Sequence, residues 1–423
     1  MTRRMLSAPI AVAALAAVPG IFVRLAGIHI DPPLMVLVAG GAIMGAAFLL
    51  LWACDAAQSD ISQALALAVV ALVAVLPEYS VDMYFTWQAG QFPESQYAHY
   101  AIANMTGANR LLIGVAWPVI VAIVWAKFRR PVCIEKERRT ELLFLMIATA
   151  YAFFITIKGS LAWYDGVVLI ALYVSYIAIA SRRPCLESEI ESPAHVIIRL
   201  PKAKRRLATA VMFLFAAGAI VLNAEPFCEA LIGSGKAFGI NEFLLVQWLA
   251  PIASEMPEFV VAIMFAVRGQ AGLALGSLLS AKLNQWTLLV GMIPGVFAVS
   301  HGSLAHSIPM SRFQMDEILL TAAQSLLAVV ILVSLRLTIG QAILLFALFI
   351  GQLLAPTAAS HLPGGLLFGF GGKEVHRLFS AFYLVATATV FLNNPQWMKG
   401  LWQGRKVSMD GPAQQCEDGE ANR

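Results

Sequence analysis

Charged residues are scarce in this chain. Asp, Glu, Lys and Arg make up 13% of its 423 residues while 59% are hydrophobic, a balance far from that of a water-soluble globular domain. The five cysteines, Cys54, Cys133, Cys185, Cys228 and Cys416, contain no Cys-x-x-Cys pair and are odd in number, which argues against a zinc site or a disulfide framework. No His-Glu-x-x-His motif occurs, and Tyr164-Asp165 has no second aspartate in a Gly-x-Gly-Asp context. Membrane metalloprotease and intramembrane aspartyl protease chemistry therefore lack their residues, and an enzyme is not expected. The basic residues stand in short segments between apolar runs with no aromatic interleaving, so the net charge of +4 does not point to nucleic acid. A channel is disfavoured as well, since two interrupted apolar segments are not a filter-like polar ring.

What is present is a series of apolar runs, each near the ~20 residues a helix needs to span a bilayer. They lie at 7–27, 33–54, 61–90, 97–126, 141–158, 161–180, 207–231, 240–268, 272–299, 316–336, 338–355 and 375–394. The expected fold class is all-α and polytopic, with about twelve spans. The first run is taken as an uncleaved helix and not as a signal peptide. With the N-terminus inside, the basic loops fall on the cytoplasmic side: Lys127 to Arg139, Arg182 to Arg206, Arg268, Arg336, and Lys399 to Lys406. Both termini are then cytoplasmic and the partner is the lipid bilayer of a cell inner membrane. The polar stretch 181–206, with Pro184, Pro193 and Pro201, reads as a cytoplasmic linker between two halves. No sequence feature sets the oligomeric state.

Two of the runs are interrupted in the same way. Leu76-Pro77-Glu78 and Met256-Pro257-Glu258 each place a proline and a carboxylate inside an apolar segment. A charge in hydrocarbon costs about 2.5–3.5 kcal/mol on insertion scales, and proline removes a helical hydrogen bond. Paired interruptions in corresponding places of two halves point to the substrate site of a secondary transporter. Helix breaks are expected at Pro77 and Pro257. The next helix of each half opens with small residues and polar groups, Ala103-Asn104-Met105-Thr106-Gly107-Ala108-Asn109 in the first and Gly276-Ser277-Leu278-Leu279-Ser280-Ala281-Lys282 in the second. The loop after the first Pro-Glu element falls outside and that after the second inside, so the repeats are inverted.

These residues resemble the sodium/calcium exchanger superfamily of cation antiporters, whose repeats each carry Pro-Glu in a broken helix followed by a Gly-Asn-x-x-Gly-Ser-Asn helix. The matching positions are Pro77, Glu78, Asn104, Gly107 and Asn109 in one repeat and Pro257, Glu258, Gly276, Ser277 and Ser280 in the other. The resemblance implies two five-helix halves, 33–180 and 207–355, around a midplane ion site, with an extra helix in 1–32 and another, followed by a polar tail, in 356–423. It departs from the pattern before the prolines, where Ala74-Val75 and Ser254-Glu255 replace most of the hydroxyl ligands. Asp82, one turn after Glu78, and Glu255 add carboxylates, and Lys282 stands where the second repeat would carry an amide. Calcium takes six to eight oxygens, and clustered carboxylates can equally take up a proton.

The expected ion-binding and transport set is therefore Glu78, Asp82, Asn104, Asn109, Glu255, Glu258, Ser277 and Lys282, the last offsetting one negative charge of the cluster. The metal-contacting part is Glu78, Glu258, Asp82 and Asn104. The expected activity is antiport of calcium or sodium against protons by alternating access. A sodium-driven calcium exchanger is the alternative, and no resident cofactor is expected.

Overall fold

The structure is a computed structural model that describes residues 3–60, 75–181, 192–361, 366–367, 370–371 and 374–393. The helices are α1 (Arg3–Leu25), α2 (Pro32–Gln58), α3 (Leu76–Gln91), α4 (Tyr97–Leu111), α5 (Trp117–Phe128), α6 (Arg139–Lys158), α7 (Trp163–Ala180), α8 (His195–Ile198), α9 (Lys202–Phe238), α10 (Glu242–Val267), α11 (Ala271–Asn284), α12 (Val290–His301), α13 (Arg312–Leu332), α14 (Ile339–His361) and α15 (Val375–Asn393). Among the described residues, strands are confined to two short antiparallel pairings, Val132–Cys133 with Arg336–Leu337 and Leu366–Leu367 with Phe370–Gly371. Eleven spans among the described residues are long and apolar enough to cross a membrane. α3 represents the expected run 61–90, of which 61–74 lie outside the described residues. The chain is an all-α polytopic membrane protein.

Most helix ends fall within a few residues of the apolar runs. The run 316–336 is an exception: α13 starts earlier, at Arg312, where Ser311 and Gln314 form a capping box, and it ends at Leu332. Arg336 instead lies in the short strand pairing. Cys133 is disulfide-bonded, which corrects the reading of the cysteines as unpaired.

α4 and α5 run on from one another through a π-helical turn, Leu112–Ala116, and α11 and α12 through a second, Gln285–Leu289. The π turns begin 173 residues apart, and α6 and α13 open at Arg139 and Arg312 with the same spacing, which fixes the register of the repeat. Four spans separate α3 from α10, namely α4 with α5, α6, α7 and α9. Helices five crossings apart run through a bilayer in opposite directions, the parity an inverted repeat requires.

The compact units do not follow the two sequence halves. One comprises residues 1–108, 174–257 and 292–306, and the other 109–173, 258–291 and 307–423, so each draws on both repeats. In the first unit α2 and α9 pack along their lengths, with α1 on α2. Small residues set the approach: a Cβ on Gly45 would meet the Ala13 carbonyl oxygen at 2.5 Å, and one on Gly40 the Phe227 ring at 2.9 Å. A buried cluster of Ile43, Val81, Phe85, Ala103, Phe227 and Ala250 ties α2, α3, α4, α9 and α10 together. At the α2 end, Asp60 accepts two hydrogen bonds from Arg205, both 2.7 Å, which hold its carboxyl at about 2.

In the second unit α13 packs against α6 and α15. Arg110 donates to Glu317 in a fully buried ion pair, and His376 Nδ1 of α15 lies 3.1 Å from the other Glu317 oxygen. Gly114, inside the first π turn, admits Phe349, whose ring would stand 2.3 Å from a Cβ there.

Candidate ion site

In the first unit the site rests on α3, which begins at Leu76. Pro77 lies in its first turn, where a missing N–H forfeits no helical bond, so this interruption is a helix start. Glu78 follows at once, buried, where the positive end of the helix dipole favours a carboxylate. Asp82 and Thr86 continue the line at four-residue spacing, and Thr86 Oγ1 donates to the Asp82 carbonyl at 2.7 Å. Asp82 and Asn104 are both 0% exposed, and Asn104 Nδ2 donates to Asp82 Oδ1 at 2.7 Å. Asp82 Oδ2 and Asn104 Oδ1 are buried with no hydrogen-bond partner among the described residues. Two oxygens of this bonded pair are thus left with acceptor capacity and no donor among the described residues.

The second interruption differs from expectation. α10 runs unbroken from Glu242 to Val267 with both Pro251 and Pro257 inside it, so Pro257 is not a helix break. Each proline withholds an N–H from the carbonyl four residues back, those of Gln247 and Ala253. The Ser254 hydroxyl sits at this strained stretch, donating to the carbonyls of Ala250 at 3.2 Å and Pro251 at 3.3 Å. Gly107 of α4 packs onto the Gln247 carbonyl so closely that a Cβ would stand 1.9 Å from its oxygen. Gln247, Pro251, Ser254, Glu255 and Glu258 form one stripe along α10, with Glu255 buried and Glu258 half-buried.

Each acidic helix brings a pair of carboxylates: Glu78 with Asp82 on α3, and Glu255 with Glu258 on α10. Among the described residues no three His, Cys, Asp or Glu side chains are placed to hold one metal ion.

The second unit holds the remaining candidates. Lys282 Nζ donates to Asn109 Oδ1 at 2.7 Å and lies 3.3 Å from the Asn109 carbonyl oxygen, with the Trp286 ring centroid 4.6 Å away. Lys282 is fully buried, and the Asn109 amide is among its partners. Asn109 thereby turns its side-chain oxygen to the lysine. Ser277 is not brought into the site: it is exposed, and its hydroxyl donates to Ala274 of its own helix at 2.9 Å. Gly276 and Ser280 face Arg138 instead, whose guanidinium donates to Ser280 Oγ at 3.0 Å and would stand 2.8 Å from a Cβ on Gly276. Arg138, Gln247 and Trp286 were missed in the sequence. A glutamine four residues before a proline in an apolar run was the one available signal, for Gln247.

A bilayer-spanning, twofold-repeated helical chain with buried carboxylates defines a secondary transporter. The sodium/calcium exchanger protein family matches residues 32–182 and again 208–358, and the chain belongs to that family. Among solved structures it is similar to the H+/Ca2+ exchanger CAX, at 37% identity over 95% of this chain and 98% of that one, with a TM-score of 0.88. A structure of the sodium-calcium exchanger NCX_Mj is 19% identical over 80% of this chain and 99% of that one, with a TM-score of 0.51, and shows the shared fold. An uncharacterised membrane protein of Methanocaldococcus jannaschii is 23% identical over 51% of this chain and 76% of its own length. The solved relatives are ion exchangers, transporters and not enzymes.

Proposed function

We propose that this exchanger carries calcium, or alternatively sodium, against protons, at a site built on Glu78, Asp82 and Asn104 with Glu255 and Glu258 from α10. The observation that carries the reading is the Asp82–Asn104 pair. A carboxylate 0% exposed, with one oxygen bonded by a neutral amide and the other bonded by no described residue, does not stay ionised alone. It takes a proton or it takes a cation, and these are the two loaded states of a proton-coupled antiporter. Alternating access then exposes the site to each side in turn, and each ion leaves by being replaced by the other.

The likeness to an H+/Ca2+ exchanger at 37% identity supports the proton as counter-ion. So does the replacement of most of the hydroxyls before the two prolines by Ala74-Val75 and Ser254-Glu255. The test is reconstitution in liposomes, with calcium, sodium and potassium uptake measured under an imposed pH or sodium gradient. Calcium or sodium uptake driven by the pH gradient, with counterflow of protons, is expected. Calcium uptake driven by a sodium gradient and indifferent to pH would overturn the choice of counter-ion. An inner-membrane orientation with cytoplasmic termini predicts that cysteines placed near Pro93 and Gly302 react with an external reagent, while one at Ser192 does not.

A further inference from the structure

In the register set by the π turns, Asn109 and Lys282 are equivalent residues of the two repeats, and they are bonded to each other across 173 positions. The Lys282 ammonium has an amide oxygen at 2.7 Å, a carbonyl oxygen at 3.3 Å and an indole face at 4.6 Å, with no exposure to solvent. Oxygens together with a π face are what a small monovalent cation takes when it sheds water. If volume alone were needed here, methionine would supply it without bringing a charge out of water. At the next position along the repeat the second copy does carry an apolar residue, Leu283.

We propose that Lys282 is a resident monovalent cation, tethered where equivalent positions of the two repeats meet. It fills with a side chain a seat that a mobile alkali cation would otherwise occupy, and so excludes sodium and potassium from that position. Lys282 is then a specificity-determining residue. The transport consequence rests on the antiport reading above, whereas the occupancy claim stands on the geometry alone.

The test uses the purified full-length protein, with Lys282→Ala and Lys282→Met beside the parent. Thermal unfolding is followed in salts of equal ionic strength: sodium, potassium, methylammonium and the bulky N-methylglucamine. The parent midpoint should be the same in all four. Lys282→Ala, which opens the seat, should melt about 5 °C lower in N-methylglucamine and regain at least half of that in methylammonium or sodium. Lys282→Met, which fills the volume without charge, should show no such recovery. In liposomes, methylammonium or sodium should raise flux through Lys282→Ala about tenfold and leave Lys282→Met inactive.

The proposal is overturned if Lys282→Met matches the parent in melting and flux, or if Lys282→Ala melts identically in all four salts. Should Lys282→Ala fold in none of them, Lys282→Met decides: parent-like behaviour rejects the tethered cation, and a folded protein without flux retains it. A parent with no pH-driven flux would remove the proposed antiport and leave the melting arm to judge Lys282 on its own.

Discussion

At the end of α4 the chain reads Asn109-Arg110, and at the equivalent place in α11 it reads Lys282-Leu283. Each repeat carries one cation here, but one residue out of step and therefore about 100° apart around the helix. Arg110 turns to α13 and pairs with Glu317, while Lys282 turns to Asn109. The equivalents of Arg110 and Glu317 are Leu283 and Phe144, so the same framework position is ionic in one copy and apolar in the other. The repeat framework thus carries a buried ion pair in one copy and apolar side chains at the equivalent positions of the other. What the pair adds is an attachment for α15, whose His376 reaches Glu317 and which lies beyond the family match.

The two repeats also differ where their acidic helices pass. α3 starts at its Pro-Glu element and gives Glu78 a helix N-terminus, whereas α10 carries Glu258 in mid-helix with Pro257 absorbed. The largest effect is expected where this comparison touches transport. Glu78→Gln, Glu258→Gln and Asp82→Asn should each reduce exchange in liposomes to background, a loss of at least about 100-fold, while the protein still folds and inserts. Near-normal flux in all three would remove the carboxylate site. Loss confined to the α3 pair would make the first repeat the seat and Glu258 a bystander.

A smaller effect sharpens the Arg110 comparison. Arg110→Leu leaves a buried carboxylate without its arginine and should cost about 3–5 kcal/mol in unfolding free energy. Adding Glu317→Phe copies the other repeat at both positions and should restore most of that loss. A double variant as unstable as the single one would mean that the apolar pair is not interchangeable with the ionic one.

Next come the glycines that seat a neighbour on each small-residue helix. Gly107→Ala forces a Cβ against backbone, the Gln247 carbonyl at 1.9 Å, and should cost about 3 kcal/mol. Gly276→Ala meets only the mobile end of Arg138 at 2.8 Å and should cost about 1 kcal/mol or less. Equal melting midpoints for the two variants would contradict the close backbone approach.

The smallest effect lies outside the repeats' shared core. The Asp60 carboxyl is held at about 2, below its ordinary 3.8, so the pair with Arg205 stabilises the fold above pH 4 and that contribution fades as pH falls toward 2. Asp60→Asn should therefore melt slightly below the parent at pH 7 and together with it at pH 2. A gap that is unchanged between those pH values would detach the effect from the carboxylate.

Much of the architecture was legible because membrane spans announce themselves by composition. α2, α6, α7, α12 and α15 end within a few residues of their apolar runs. The Pro-Glu pairs, Asp82 and Asn104 were legible because a charge or amide in an apolar run is costly without a use. What was not legible needed three dimensions. Ser277 and Lys282 lie five residues apart on one helix, and which of them turns inward depends on that helix's neighbours. The π turns have no composition of their own, since Leu112–Ala116 and Gln285–Leu289 share no residue pattern. That Pro257 stays inside an unbroken helix was not legible either, since proline in an apolar run reads equally well as a break. Ser311 and Gln314 were readable as a capping box and would have placed α13 correctly.

The contact between Asn109 and Lys282 has a consequence for how such a molecule can be assembled. In a symmetric dimer of two identical single-repeat chains, a residue that touches its own equivalent meets a copy of itself. Two lysines would then bring two ammonium groups to one buried point, and two asparagines would bring no cation at all. Placing one of each there takes two repeats of different sequence, which this chain supplies by joining both end to end.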